Sequence, residues 1–223
     1  MTQPMRIAVL ISGSGSNLQA IINHQKQHSN LYEIVSVISN KPNVLGLERA
    51  QKAGIFNQVI NHKDFADRQS FDQALQVAID ASNPDLIVLA GFMRILTGHF
   101  TQHFLGKMLN IHPSLLPKYT GLNTHQRALD AGDTEHGLSV HFVTPELDEG
   151  PAILQAKVRI ETHDNVETLQ QKVHQQEHLA YPLVIQWFAQ GRLRFKNGQA
   201  WFDQSPLQNP ILLSAVSENE RTH

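Results

Sequence analysis

Residues 6–27, RIAVLISGSGSNLQAIINHQKQ, decide the fold. An aliphatic, β-branched run stops at two glycines and gives way to an amphipathic stretch, which reads as strand, tight turn and helix. The order then repeats. EIVSVIS at 33–39 precedes VLGLERAQKAG at 44–54, and FNQVIN at 56–61 precedes RQSFDQALQVAIDAS at 68–82. Next comes PDLIVLAGF at 84–92, nearly continuous in Ile, Val, Leu and Ala, as a parallel strand covered on both faces requires. After a helix over TGHFTQHFLG (97–106) and a short strand KMLNIH (107–112), GLSVHFVT and AILQAKVRI alternate apolar with polar around the turn PELDEGP. That pattern predicts an antiparallel addition. A long helix follows from Asn165, its N-cap, to Gly191, its stop, with Pro182 inside, and Asn197-Gly198 turns a last hairpin between RLRF and AWF. The expected class is α/β: one doubly wound, mostly parallel sheet with an antiparallel C-terminal extension. No linker separates two cores, so residues 1–204 are expected to form one domain, and the polar, aperiodic tail 205–223 to lack regular order.

The totals set limits on function. A net charge of -2 leaves no basic footprint for nucleic acid or an anionic membrane. Small molecules are therefore the expected partners. Cysteine is absent, which removes disulfides, thiolate ligands and thiol nucleophiles. No segment reaches the roughly 20 apolar residues of a membrane span, and IAVLI is too short for a secretory core, so a cytoplasmic protein is expected.

Two loops carry the chemistry. In SGSGSNLQA (12–20), Leu18 occupies the position where a dinucleotide fingerprint needs a third glycine, and no Gly-Lys-Ser/Thr follows. What remains is either a bare turn or a seat for one phosphate held by Gly15, Ser16 and Asn17 at a helix N-terminus. In MLNIHPSLLPKYTG (108–121), Asn110 and His112 stand two apart on a strand and so share a face, and Pro113 ends the ladder. Ligands of open parallel sheets bind beyond the carboxyl ends of strands. An amide that donates to a developing oxyanion and an imidazole that carries a proton suit acyl transfer; a turn-capping Asn and a backbone-capping His would look the same. Asp148 follows a later strand and could return its carboxylate to His112, or could belong with Glu146 and Glu149 to a solvated acidic turn.

NIHPSLLPKYTG (110–121) followed by HFVTPELDEGP (141–151) resembles the folate-dependent formyltransferase domain. SGSGSNLQA, VLAGFMRIL (88–96) and QQEHLAYPL (175–183) narrow the likeness to the purine-synthesis branch, over residues 6 to 202. The resemblance implies a Rossmann-like formyltransferase fold and transfer of a formyl group from 10-formyltetrahydrofolate, a co-substrate, to the amine of 5'-phosphoribosylglycinamide, without a metal. It further implies that Asn110 donates to the oxyanion, that His112 shuttles the proton, and that Asp148 holds the imidazole's charge and an ordered water. Gly15, Ser16 and Asn17 would take the 5-phosphate and Glu177 the ribose hydroxyls. Met93, Arg94, Ile95 and Leu96, with Asn110, would line the folate pocket, and Arg68 would meet the anionic folate tail. A monomer or weak homodimer is expected.

Some features point elsewhere. His174, Glu177 and His178 match an H-x-x-E-H zinc pattern, though a helix face with Glu177 turned to a sugar accounts for them without a third ligand. His125 sits where the family often has a second histidine two residues earlier, but this chain has Asn123, which weakens any proton relay there. Formyltetrahydrofolate deformylase is a competing expectation, disfavoured because the first strand begins at Arg6 and leaves no room for a regulatory domain. Methionyl-tRNA formyltransferase is disfavoured by the lack of a C-terminal barrel and of basic surface, and a non-catalytic nucleotide sensor on the same fold is a third possibility.

Overall fold

A computed structural model describes residues 3–218 and 220. The chain divides into two compact units, Met1–Asn110 and Ile111–His223. In chain order the first contains β1 (Met5–Ile11), α1 (Ser16–Gln27), β2 (Tyr32–Ser39), α2 (Leu45–Lys52), β3 (Asn57–Val59), α3 (Arg68–Ser82), β4 (Leu86–Leu89) and α4 (Gly98–His103). Strand β5 (Met108–His112) crosses the boundary.

All strand pairs of the first unit are parallel, in the order β5-β4-β1-β2-β3. The sequence dictates this. Leu86–Leu89 is wholly apolar and wholly buried, which suits a strand flanked on both sides and covered above and below. Each such side chain contributes roughly 1.5–3 kcal/mol by leaving water. Strand order reverses about β1, because the chain moves outward to β2 and β3 and then returns to β4. In open parallel sheets the carboxyl ends of the strands at such a switch point are where ligands bind. Helix α3 shows how a face is fixed: Asp67 caps it by accepting from Ser70 N at 2.8 Å, and Phe71, Leu75 and Ile79 recur every four residues on its buried side.

The second unit holds α5 (Thr124–Asp130), β6 (Glu135–Phe142), β7 (Ala152–Arg159), α6 (Val166–Ala189), β8 (Leu193–Lys196), β9 (Gln199–Phe202), β10 (Ser205–Pro206) and β11 (Ile211–Leu212). Strands β6 and β7 pair antiparallel, as their alternation predicts, with a register shift between Val140 and His141. Strands β8, β9 and β10 form a separate antiparallel sheet that turns on Asn197 and Gly198. Helix α6 begins with a reciprocal cap: Thr168 N donates to Asn165 Oδ1 at 2.9 Å, and Asn165 N donates to Thr168 Oγ1 at 3.0 Å. Its second half is buried on every side from Tyr181 to Trp187, so packing sustains it through Pro182.

The tail differs from expectation. Residues 205–212 supply β10 and β11, and β11 pairs parallel with β7 through Ile211 and Leu154. Glu220 accepts from Trp187 Nε1 at 2.9 Å and from Arg192. Two-residue strands are too short to show an alternation, which is why the sequence there has no visible period. Among the described residues no helix is long and apolar enough to cross a membrane.

The cap of α6 yields a direct test. Asn165→Ala should destabilise the protein by about 0.5–2 kcal/mol, whereas Asn165→Gly should remove only a few tenths. Urea unfolding midpoints of the two variants would measure the difference.

Candidate active site

Strand β5 presents Asn110 and His112 on one face because they are two apart, with Ile111 buried on the other. His112 is only 6% exposed. Its Nε2 lies 2.8 Å from the carbonyl oxygen of Tyr119, which can only accept, so Nε2 carries a hydrogen. Its Nδ1 lies 3.5 Å from Asp148 Oδ2. The ring is thus held at both nitrogens by acceptors, an arrangement in which a hydrogen on Nδ1 would meet a carboxylate.

The segment that supplies the Tyr119 carbonyl is itself pinned. Ser139 Oγ, on β6, accepts from Leu116 N at 3.0 Å and donates to Ser114 O at 2.7 Å, while Gln155, on β7, donates to Leu116 O at 2.8 Å. Farther along, the Tyr119 hydroxyl donates to Asp133 at 2.8 Å, and Lys118 pairs with the same carboxylate at 3.0 Å.

Asp148 occupies the turn between β6 and β7 in the left-handed region, with φ 56°. Its side chain is buried, unlike the solvated turn that Glu146 and Glu149 suggest. Oδ2 accepts from Gly121 N at 2.9 Å, and Oδ1 lies 3.8 Å from His141 Nε2. Gly150 is obligatory beside it, because a Cβ there would stand 1.8 Å from the Phe142 carbonyl oxygen. His141 is a residue that the sequence reading missed. Burial pulls its pKa well below the usual imidazole value, against the opposing pull of the Phe142 carbonyl and Asp148, so the ring stays neutral and donates from Nδ1 to Phe142 O at 2.9 Å. The available signal was the polar face of GLSVHFVT, whose Ser139 and His141 are both buried.

Elsewhere in this unit, His125 Nδ1 stands 3.1 Å from His136 Nε2. Burial, helped by the neighbouring imidazoles of His136, His174 and His112, draws the His125 pKa down to about 4; burial also lowers that of His136. Asn123 precedes α5 in the left-handed region without a side-chain cap. Glu177 is buried on α6, with His174 Nε2 3.9 Å from its carboxylate, and the rings of His174 and His178 stack 6.4 Å apart.

In the first unit, Gly15 takes φ 68° as N-cap of α1, and a Cβ on it would come within 2.6 Å of Gly46 Cα. Only glycine permits that approach. The N–H groups of Ser16 and Asn17 belong to the first turn of α1, at the positive end of the helix. Arg49, also missed, frames this loop from α2 by donating to Ser14 O at 2.9 Å and to Gln19 at 3.1 Å. Across 35 residues of sequence no pattern announces the first of those contacts.

The loop after β4 is fastened at both ends: Met93 N donates to Ser12 Oγ at 2.7 Å, and Thr97 N to Asp72 Oδ2 at 2.6 Å. Between the fastenings Met93 is 64% exposed and Ile95 49% exposed, while Leu96 is buried. Arg94 lies half-buried over the Phe71 ring, 5.4 Å from its centroid, and Arg68, first residue of α3, is exposed. Large apolar side chains held outward by a tethered loop are the lining a flat ligand needs.

Known proteins share this chain's fold and much of its sequence. The family described as formyl transferase matches residues 5–185. The chain is 53% identical over 199 residues to the phosphoribosylglycinamide formyltransferase of Escherichia coli, covering 89% of this chain and 94% of that one. It is 51% identical over 202 residues to the enzyme of the same name from Haemophilus influenzae, covering 91% and 95%. Among solved structures, the phosphoribosylglycinamide formyltransferase of Coxiella burnetii in complex with CHES superimposes with a TM-score of 0.90 at 53% identity, over 94% of this chain and 99% of that one.

The His125–His136 pair makes stability depend on pH. Below pH 6.5 the unfolded chain takes up protons that the folded His125 refuses until about pH 4, so folding stability falls as pH drops through that window. His125→Gln should flatten the loss. Urea midpoints from pH 7 to 4, with the NMR titration of the His125 ring, would check both.

Proposed function

Because the chain belongs to the formyl transferase family, we infer that it transfers a formyl group to the amine of 5'-phosphoribosylglycinamide in purine biosynthesis, taking it from a folate-derived donor. We propose 10-formyltetrahydrofolate as that donor, with small molecules as the partners and a monomer or weak homodimer as the working form. The observation that carries the reading is the buried carboxylate of Asp148, 3.5 Å from His112 on the strand that also carries Asn110. Deformylase and methionyl-tRNA formyltransferase are disfavoured, since the Escherichia coli relative named for the glycinamide reaction matches at 53% identity across 94% of its length.

In this reading the glycinamide nitrogen attacks the formyl carbon and the carbonyl oxygen becomes an oxyanion. Asn110 donates to that oxygen as its charge grows, an interaction worth about 10² to 10³ in rate. Carbon–N10 cleavage then releases tetrahydrofolate, and the proton lost by the attacking nitrogen must reach N10. His112 is the carrier. The hydrogen it can present is the one on Nε2, which the reacting groups must win from the Tyr119 carbonyl, while Asp148 fixes the opposite edge of the ring. Asp148 cannot swing freely because Gly121 N–H holds the same oxygen.

Binding roles follow the same logic. Gly15, Ser16 and Asn17 offer backbone N–H groups to the 5-phosphate, and Glu177 accepts from ribose hydroxyls. Met93 and Ile95 cover the pterin faces, with Leu96 behind them and backbone groups of Arg94 and its neighbours on the ring edge. Arg68 faces the donor's anionic tail. No step here requires a metal.

Mixing the protein with 10-formyltetrahydrofolate and phosphoribosylglycinamide should release tetrahydrofolate, and release without the acceptor would instead mark a deformylase. His112→Ala should lower kcat by about 10² to 10⁴ with little change in ligand affinity. Asp148→Asn should lower kcat and displace its pH profile. Near-normal turnover in both variants would reject these roles.

A further inference from the structure

We propose that Asp72 is a positioning residue for the formyl donor: its buried carboxylate ties the loop after β4 to α3 and orients Arg68 and Arg94 toward the donor's carboxylate-bearing tail. The inference rests on the reading of Arg68 and residues 93–96 given above.

Asp72 is 3% exposed. One oxygen accepts from Thr97 N at 2.6 Å, which anchors the end of the loop. The other oxygen, Oδ1, is buried with no hydrogen-bond partner, and so is Arg94 Nε. A neutral amide oxygen would serve Thr97 as well, so the anchoring bond does not account for a charge at this position. Burial opposes that charge and pushes the Asp72 carboxyl up, against the pull of Thr97 and then of the guanidiniums of Arg68 and Arg94.

Those two cations give the charge a purpose. Arg68 stands four residues earlier on α3, hence on the same face. Arg94 comes from the tethered loop and rests on Phe71, the neighbour of Asp72. Both guanidiniums act on the Asp72 carboxyl, and cations drawn toward one anion repel each other. An anion buried behind them offsets that repulsion and limits the directions they can take, while the exposed side of Arg68 stays open to a ligand. The carboxylate thus acts on the donor through the arginines and touches no reacting atom.

The test compares 10-formyltetrahydrofolate with the same donor lacking its glutamate, 10-formyltetrahydropteroate, on the unaltered protein and on Asp72→Asn, which keeps an oxygen for Thr97 and removes only the charge. For Asp72→Asn the KM of the full donor should rise about tenfold, with kcat and the KM of phosphoribosylglycinamide within about twofold. The KM of the truncated donor should be the same in both proteins. A merely structural role would move both donors together, so parallel losses for the two, or a kcat defect with either, would overturn the proposal. Discrimination between donors kept intact in Asp72→Asn would overturn it alone. Equal KM values for both donors on the unaltered protein would overturn the tail reading and this inference with it.

Discussion

The second unit is organised around one buried carboxylate. An anion removed from water must be matched by hydrogen bonds or opposite charge, and Asp148 accepts from the Gly121 N–H and faces the Nδ1 edge of His112, with the neutral ring of His141 closing its other side. Much local backbone serves that arrangement. The left-handed conformation at residue 148 turns the side chain inward, the missing Cβ of Gly150 lets the turn press on the Phe142 carbonyl, and the irregular register at Val140 and His141 re-aims the end of β6. Strain of this kind, about 1–3 kcal/mol for a non-glycine residue at positive φ, persists only where the surroundings over-determine it.

A second theme is that reactive or ligand-facing loops are fastened from behind. Ser139 and Gln155 grip residues 114–116, so the Tyr119 carbonyl arrives opposite His112 with little freedom. In the first unit Ser12 and Asp72 grip the two ends of the loop that displays Met93 and Ile95, and Arg49 steadies the glycine turn. Such supports convert flexible connections into fixed geometry, which is what proximity effects require.

The order of strands and helices was legible because apolar periods of two and of three to four are local properties, and the shared face of Asn110 and His112 followed from strand parity alone. Convergence was not. Sequence could not separate Asp148 from Glu146 and Glu149, since burial is decided by a turn whose shape depends on Gly150 meeting a carbonyl on another strand. His141 and Ser139 stand on the polar side of an alternating strand, a side that antiparallel sheets commonly turn to water, yet here it is buried and does the fastening. Tyr119 acts through its backbone oxygen, which no residue type reports. The division at Asn110 falls inside β5, where composition does not change. The chemical roles came from likeness to a family rather than from spacing.

The short strand β11 has a consequence for solubility. An uncovered strand edge offers unsatisfied N–H and C=O groups to any other extended chain, a route to aggregation. Two residues, Ile211 and Leu212, occupy the flank of β7 at Leu154 and Gln155, and the remaining length of β7 carries the exposed cations Lys157 and Arg159. A pairing segment too brief to look like a strand, followed by charged side chains that keep their water, guards that margin against other extended chains.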